Sequence, residues 1–354
     1  MHALRALTRI ERIALAGVVA AFALSGVTRG VNGLLPFFTS LIALAGVAWL
    51  VSFATELLGE HTGPAVTGFL QSSLGNLPEL FVVLFALKAG ETEIALTSLI
   101  GSVLANALLV LGLAIMVGAR KAPDGSMRFR ARLPNDTATL LQVAVFGIVL
   151  VALVNSAHTE ASHHIKTISA IASVCLLVVY LLWVVPYLRS DEDPASGHAG
   201  KPRLPLSACI AIMAAAGVMA ALVSEWFIDA LTPAIDDLDI SKAFAGLVIV
   251  AIAGNAAENF TGIVLAAKGQ NDVAISVIKN SVAQVAAFLF PLLVLLSLLF
   301  EHHLTFAMPG IYVGGLALGA LAVWQITGDG VAALYEGAAL VALFVILATF
   351  AWYS

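Results

Sequence analysis

Two motifs hold the residues best suited to chemistry. Gly75-Asn76-Leu77-Pro78-Glu79 is followed, 179 positions later, by Gly254-Asn255-Ala256-Ala257-Glu258, and each sets a carboxylate in a stretch otherwise apolar enough for lipid. A charged side chain at the centre of a membrane helix costs about 2.5 to 3.5 kcal/mol on insertion scales, so it normally faces a cavity or a partner and marks an ion or substrate path. The Gly-Asn pair ahead of each glutamate, with Pro78 added in the first motif, weakens the helix by removing side-chain packing and a backbone donor. Carbonyls released by such a break are tolerated at that depth where they line a polar cavity.

Neutral oxygens follow each motif. Ser98, Ser102 and Asn106 are spaced by four and share a helix face, and Ser281 and Gln284 are spaced by three. Calcium takes six to eight oxygens at about 2.3 to 2.6 Å from carboxylates, amides, backbone carbonyls and water. Glu79, Glu258, Asn76, Asn255, Ser102, Ser281 and Gln284 can supply such a set. Soft metals are disfavoured, because Cys175 and Cys209 lie away from the motifs and none of the eight histidines falls within them. The same two carboxylates can instead hold protons, since burial and mutual repulsion both raise a carboxyl's pKa. One divalent ion or two protons would each neutralise the pair, which gives coupled exchange without ATP. No GxxxxGK[ST] phosphate loop occurs, and nothing suggests an enzyme or a resident cofactor.

Other polar residues carry two readings each. Glu56 and Glu225, in Ala54-Thr55-Glu56 and Val223-Ser224-Glu225, either relay protons to the central pair or snorkel at the interface. Lys279 lies about 200 degrees round its helix from Ser281. It is expected to pair with an acid outside the central site or to snorkel. The sharper reading is that its charge tunes a glutamate's pKa or deters a second cation. His158, His163, His164, His302 and His303 are expected in outer loops, as interfacial residues or as a pH sensor or metal site. Asp236, Asp237 and Asp239 read as an outer charged loop.

The elements that position these residues are membrane helices. Of 354 residues, 60% are hydrophobic and 11% charged, with a mean hydropathy of +1.00. Soluble domains carry roughly 25% charged residues, so the chain is an all-α integral membrane protein. The bilayer and inorganic cations are its expected partners, nucleic acid is excluded, and nothing points to a particular oligomeric state. Apolar runs of roughly 20 residues or more predict about eleven spans: 8–29, 34–58, 64–89, 92–119, 137–156, 165–189, 205–231, 240–268, 272–300, 305–327 and 331–353. Cys175 and Cys209 fall in separate spans and are expected to stay unbridged.

The 179-residue shift also aligns Gly269 with Gly90, Asp272 with Glu93 and Ser281 with Ser102, without gaps. The organisation is therefore an N-terminus and leading helix (1–33), a five-helix repeat (34–189), a cytoplasmic linker (190–204) and a second five-helix repeat (205–354). An odd number of spans per repeat inverts the second, the pattern of secondary transporters with a site near mid-membrane. Twelve Lys and Arg fall on the side of the N-terminus and four on the other, with Lys279 inside a span. This places the N-terminus in the cytoplasm and the C-terminus outside. Short loops without long tails suggest a prokaryotic inner membrane.

These residues resemble the calcium/proton exchangers, the CAX branch of the calcium:cation antiporters. That family carries GNxxE in two inverted repeats, followed by GSxxSN and GSxxQ; the counterparts are GNLPE at 75–79 with GSVLAN at 101–106, and GNAAE at 254–258 with NSVAQ at 280–284. The likeness extends to ATE at 54–56, LLVVYLLWVV at 176–185, and the stretch from Asp329-Gly330 to Glu336-Gly337. It implies that Glu79 and Glu258 are shared calcium and proton carboxylates, with Asn76, Asn255, Ser102, Ser281 and Gln284 around them. It also implies one leading helix plus two five-helix repeats, and export of Ca2+ in exchange for H+ by alternating access. Ala105 and Asn280 depart from the family pattern. Pro78-Glu79 is similar to the sodium/calcium exchanger branch, which leaves Na+ as the alternative counter-ion and K+ or Mn2+ as other cations of the same class. A passive cation channel is the rival of a different kind.

Overall fold

The structure is a computed structural model that describes residues 7–62, 70, 74–130, 132–189 and 202–354. The helices are α1 (Arg9–Thr28), α2 (Leu35–Gly59), α3 (Leu77–Lys88), α4 (Thr92–Ala119), α5 (Arg132–Ser156), α6 (Ile165–Arg189), α7 (Leu206–Leu238), α8 (Lys242–Gly254), α9 (Ala256–Ala267), α10 (Asn271–Ser297), α11 (Gly310–Thr327) and α12 (Leu334–Trp352). Two three-residue strands, β1 (Ser126–Arg128) and β2 (Val331–Ala333), pair antiparallel with Met127 opposite Ala332.

Nine of these helices are long and apolar enough to cross a bilayer, and the bent pair α8 and α9 would make a tenth. The expected count of eleven is thus not reached among the described residues. The span at 64–89 accounts for the difference, since residues 63–69 and 71–73 lie outside them and α3 is its described part. The linker at 190–204 likewise lies outside them except for residues 202–204. Helix α7 runs seven residues beyond the expected end at 231, through an internal Pro233. Asp236 and Asp237 therefore belong to its last turn, a correction to the expected loop. Asp239 caps that helix in the left-handed region.

The repeat is legible in the backbone. Helices α3 and α9 have bounds related by the 179-residue shift at both ends. Gly90 and Gly269, likewise related, have φ of 80° and 78°. Both adopt a left-handed conformation that costs glycine little, and each ends a helix just before the next begins. Helices α4 and α10 each widen into a π-helical segment at matched places, Ala105–Val110 and Val285–Leu289.

Contacts divide the chain into two compact units. One draws on Met1–Phe85, Leu181–Asp239 and Ala253–Ala257, the other on Ala86–Tyr180, Ile240–Ile252 and Glu258–Ser354. In the first unit α2 packs along α7 and α1. Phe37 stacks on Phe227 at 6.0 Å between ring centroids, and the hydroxyls of Thr28 and Thr39 join α1 to α2 at 2.7 Å. In the second unit α5 packs on α10 and α11, α12 on α4, and α4 on the π segment of α8. That last contact needs glycine: a Cβ on Gly101 would run into the Leu247 backbone, and one on Gly246 into Thr97.

Candidate functional site

Each motif breaks a helix and restarts it two residues before its glutamate. Asn76 is a turn residue, α3 begins at Leu77, and Pro78 occupies the first turn, where its missing N–H costs nothing. The Asn76 carbonyl accepts the Leu80 N–H at 2.9 Å. Gly254 closes α8, Asn255 is the break, and α9 leaves at 64°. Glu79 and Glu258 thereby fall in the first turns of new helices, where the helix dipole favours negative charge.

In the first unit Asn76, Glu79 and Asn255 are all buried. The motifs meet here: a Cβ on Gly254 would lie 3.7 Å from the Glu79 Cβ. On α7, the Ser224 hydroxyl donates to the Pro78 carbonyl at 3.3 Å. Glu225 follows it, half-buried in mid-helix.

In the second unit Glu258 accepts a hydrogen bond from the Ser281 hydroxyl. The Asn106 amide donates to the Ser281 Oγ at 3.3 Å, so donors from both repeats converge beside this carboxylate. Ser102 is fully buried. Gln284 is buried too, its amide donating to the Tyr180 hydroxyl at 3.3 Å. The Gln284 Oε1 and the Asn259 Oδ1 are buried and accept no hydrogen bond from the described residues. In the second unit the Glu258 carboxylate stands with neutral amide and hydroxyl oxygens, the hard donor types that suit a divalent ion. No cluster of three or more His, Cys, Asp or Glu side chains able to hold a metal occurs among the described residues.

The remaining expectations fare unevenly. Glu56 lies at the end of α2 in an ion cluster, where Arg203 reaches it at 2.9 Å and Glu11 at 2.8 Å, and also bonds Glu60. Burial works against the Arg203 charge. The Glu60 hydrogen bond and the charges of Glu60, Glu56 and Glu11 outweigh it, and the guanidinium pKa is held above its ordinary value. Among the described residues no acid pairs with Lys279, and its side chain does not reach water. It is 3% exposed, and its ammonium donates to the Thr327 hydroxyl at 2.6 Å. Thr327 is the last residue of α11, so that helix end and not water receives the ammonium. The His303 Nε2 meets the Lys166 ammonium at 2.6 Å. Cys175 and Cys209 are both free.

Sequence reasoning did not single out Tyr180 or Asn259 for the site. The lone hydroxyl in the apolar run at 176–185 was the available signal for the first, and adjacency to Glu258 for the second.

Comparison with known proteins shows the family. The family model described as sodium/calcium exchanger protein matches residues 32–186 and 208–353. The chain is 33% identical over 323 residues to a vacuolar calcium ion transporter of Schizosaccharomyces pombe, covering 88% of this chain and 77% of that one. It is 30% identical over 318 residues to the Ca2+/H+ antiporter ChaA of Bacillus subtilis, covering 88% and 90%. The solved structure of native YfkE superposes with a TM-score of 0.81 at 27% identity, covering 96% of this chain and all of that one. Both GN motifs lie inside the matched stretches, and the chain belongs to the sodium/calcium exchanger protein family.

Proposed function

We propose that this protein is a secondary antiporter, not an enzyme, that exchanges Ca2+ for H+ across a membrane by alternating access. The observation that carries the reading is the carboxylate of Glu258 held by Ser281 and Asn106 beside Gln284, in a chain whose other GN motif presents Glu79. Glu79 and Glu258 hold either one Ca2+ or protons, and Asn76, Asn255, Ser102, Ser281 and Gln284 complete the oxygen set. Glu225 passes protons towards Glu79; Glu56 does so only after leaving Arg203. Relatives named as Ca2+/H+ antiporters support H+ rather than Na+ as the counter-ion. The charge bias of the loops supports a cytoplasmic N-terminus and an outer C-terminus, and the short loops support residence in a prokaryotic inner membrane.

The test is reconstitution into proteoliposomes with calcium and lumenal pH followed together. A pH gradient should drive Ca2+ uptake and Ca2+ should release protons, while a Na+ gradient alone should drive none. Glu79→Gln and Glu258→Gln should each reduce the coupled flux to background. Calcium flux indifferent to the pH gradient would instead identify a channel.

A further inference from the structure

A cavity of about 280 Å³ opens in the first unit, where the end of α1, the turn into α2 and the later half of α7 come together. Its walls include Arg29, Asn32, Gly33, Trp226, Asp229 and Pro233. The charges are divided between the walls. The α1–α2 turn brings the Arg29 guanidinium and the Asn32 amide, which are hydrogen-bond donors. Helix α7 brings the Asp229 carboxylate. Pro233, four residues on and inside the same helix, has no N–H to give to the Asp229 carbonyl, so this turn offers a second acceptor. Arg29 and Asp229 line one cavity yet form no ion pair with each other or with any described residue.

Trp226 is fixed beside them. Its ring lies 5.1 Å from that of Phe22, and a Cβ on Gly26 would stand 3.2 Å from it. Val27, Val31, Leu35 and Phe38 are exposed on the neighbouring helix ends, an apolar apron adjoining the polar cavity. None of these residues belongs to the ion site described above.

We propose that this cavity binds the head group of a zwitterionic aminophospholipid, an aminoethyl phosphate whose acyl chains lie on the apron. The phosphate fits the planar Arg29 fork and the Asn32 amide. A primary ammonium has three donors, and the Asp229 carboxylate and carbonyl are two acceptors on one turn. The Trp226 ring adds cation–π attraction for the same ammonium. A quaternary choline head cannot donate to Asp229, and a glycerol head lacks the positive charge. The site therefore distinguishes phosphatidylethanolamine from phosphatidylcholine and phosphatidylglycerol.

The experiment is native mass spectrometry of the full chain released from mixed-lipid nanodiscs, with these three lipids as probes. Phosphatidylethanolamine should be retained about tenfold over the other two, as expected for one charged hydrogen-bonding group gained. Arg29→Gln should lower the retention of all three lipids, because each carries the phosphate that Arg29 binds. Asp229→Asn should exchange the preference for one for phosphatidylglycerol, a gain that misfolding cannot mimic. Equal retention of all three lipids by the wild type would overturn the proposal. Soluble phosphoethanolamine should leave the melting temperature unchanged; a rise equal to that given by the lipid would overturn the assignment to a lipid. Loss of Ca2+ transport by Asp229→Asn in liposomes lacking phosphatidylethanolamine would also overturn it, by placing Asp229 on the ion path.

Discussion

Ser281 is the residue through which the second carboxylate is oriented. Its hydroxyl gives its proton to Glu258 and accepts from Asn106, so the serine fixes the direction in which the carboxylate presents its oxygens. Ser281→Ala should raise the Ca2+ concentration needed for half-maximal uptake about tenfold, the usual size of a lost hydrogen bond to a charged group; a calcium titration of initial rates checks it. Lys279 stands two residues earlier but turns its ammonium to Thr327, whose own proton goes to the Val323 carbonyl at 2.6 Å. One neutral acceptor satisfies one of three ammonium protons, which leaves the buried group costly. Lys279→Met should therefore melt at or above the wild-type temperature and keep the wild-type pH optimum. A moved optimum would give the lysine a tuning role.

At the scale of elements, helix crossings and end clusters set how much the frame can give. Gly101 and Gly246 let α4 and α8 approach at backbone distance. Gly101→Ala should cost about 1 to 3 kcal/mol by overpacking against backbone that cannot rotate away. Gly17→Ala, in α1 with nothing within 4 Å of the added methyl, should gain about 0.5 to 1 kcal/mol from helix propensity. Melting curves of the two variants should move in opposite directions. Arg203 ties the start of α7 to the ends of α1 and α2 through Glu11, Glu56 and Glu60. Arg203→Gln leaves these carboxylates without their cation and should lower the melting temperature. The guanidinium pKa is raised above its ordinary value, so its contribution is whole through the neutral and mildly alkaline range and is lost only as pH rises past that pKa. The guanidinium's own share of the deficit should thus be the same at neutral and mildly alkaline pH.

For the whole molecule, the proposed exchange rests on two carboxylates that share their occupants. Because protons and Ca2+ compete, lowering the pH on the binding side should weaken Ca2+. The apparent affinity should fall by up to about 100-fold per pH unit where both protons are taken up together. Calcium titrations across a pH series check this, and a slope near zero would remove protons as competitors. The outer faces of the helices carry exposed side chains such as Phe146, Leu182 and Leu318. The bilayer is the solvent these faces require, and reconstituted membranes are the proper setting for each measurement.

The sequence by itself determined the membrane class, most span positions, the repeat and the two GN motifs. These depend on composition, periodicity and local helix breaking, all of which act within about a helical turn or within one span. Span six, read as 165–189, has those bounds in the structure, and the 179-residue shift reappears in the backbone of α3 and α9. Tertiary structure alone decided what each polar side chain meets. Glu56 and Glu225 look alike in sequence, yet one ends α2 among ions and the other sits within α7. Lys279 has the length to find an acid but meets a threonine at the end of α11. Partners brought from residues 48 to 175 positions away, as Thr327 is for Lys279 and Ser281 for Asn106, depend on how helices pack. Periodicity along one chain segment carries no record of that.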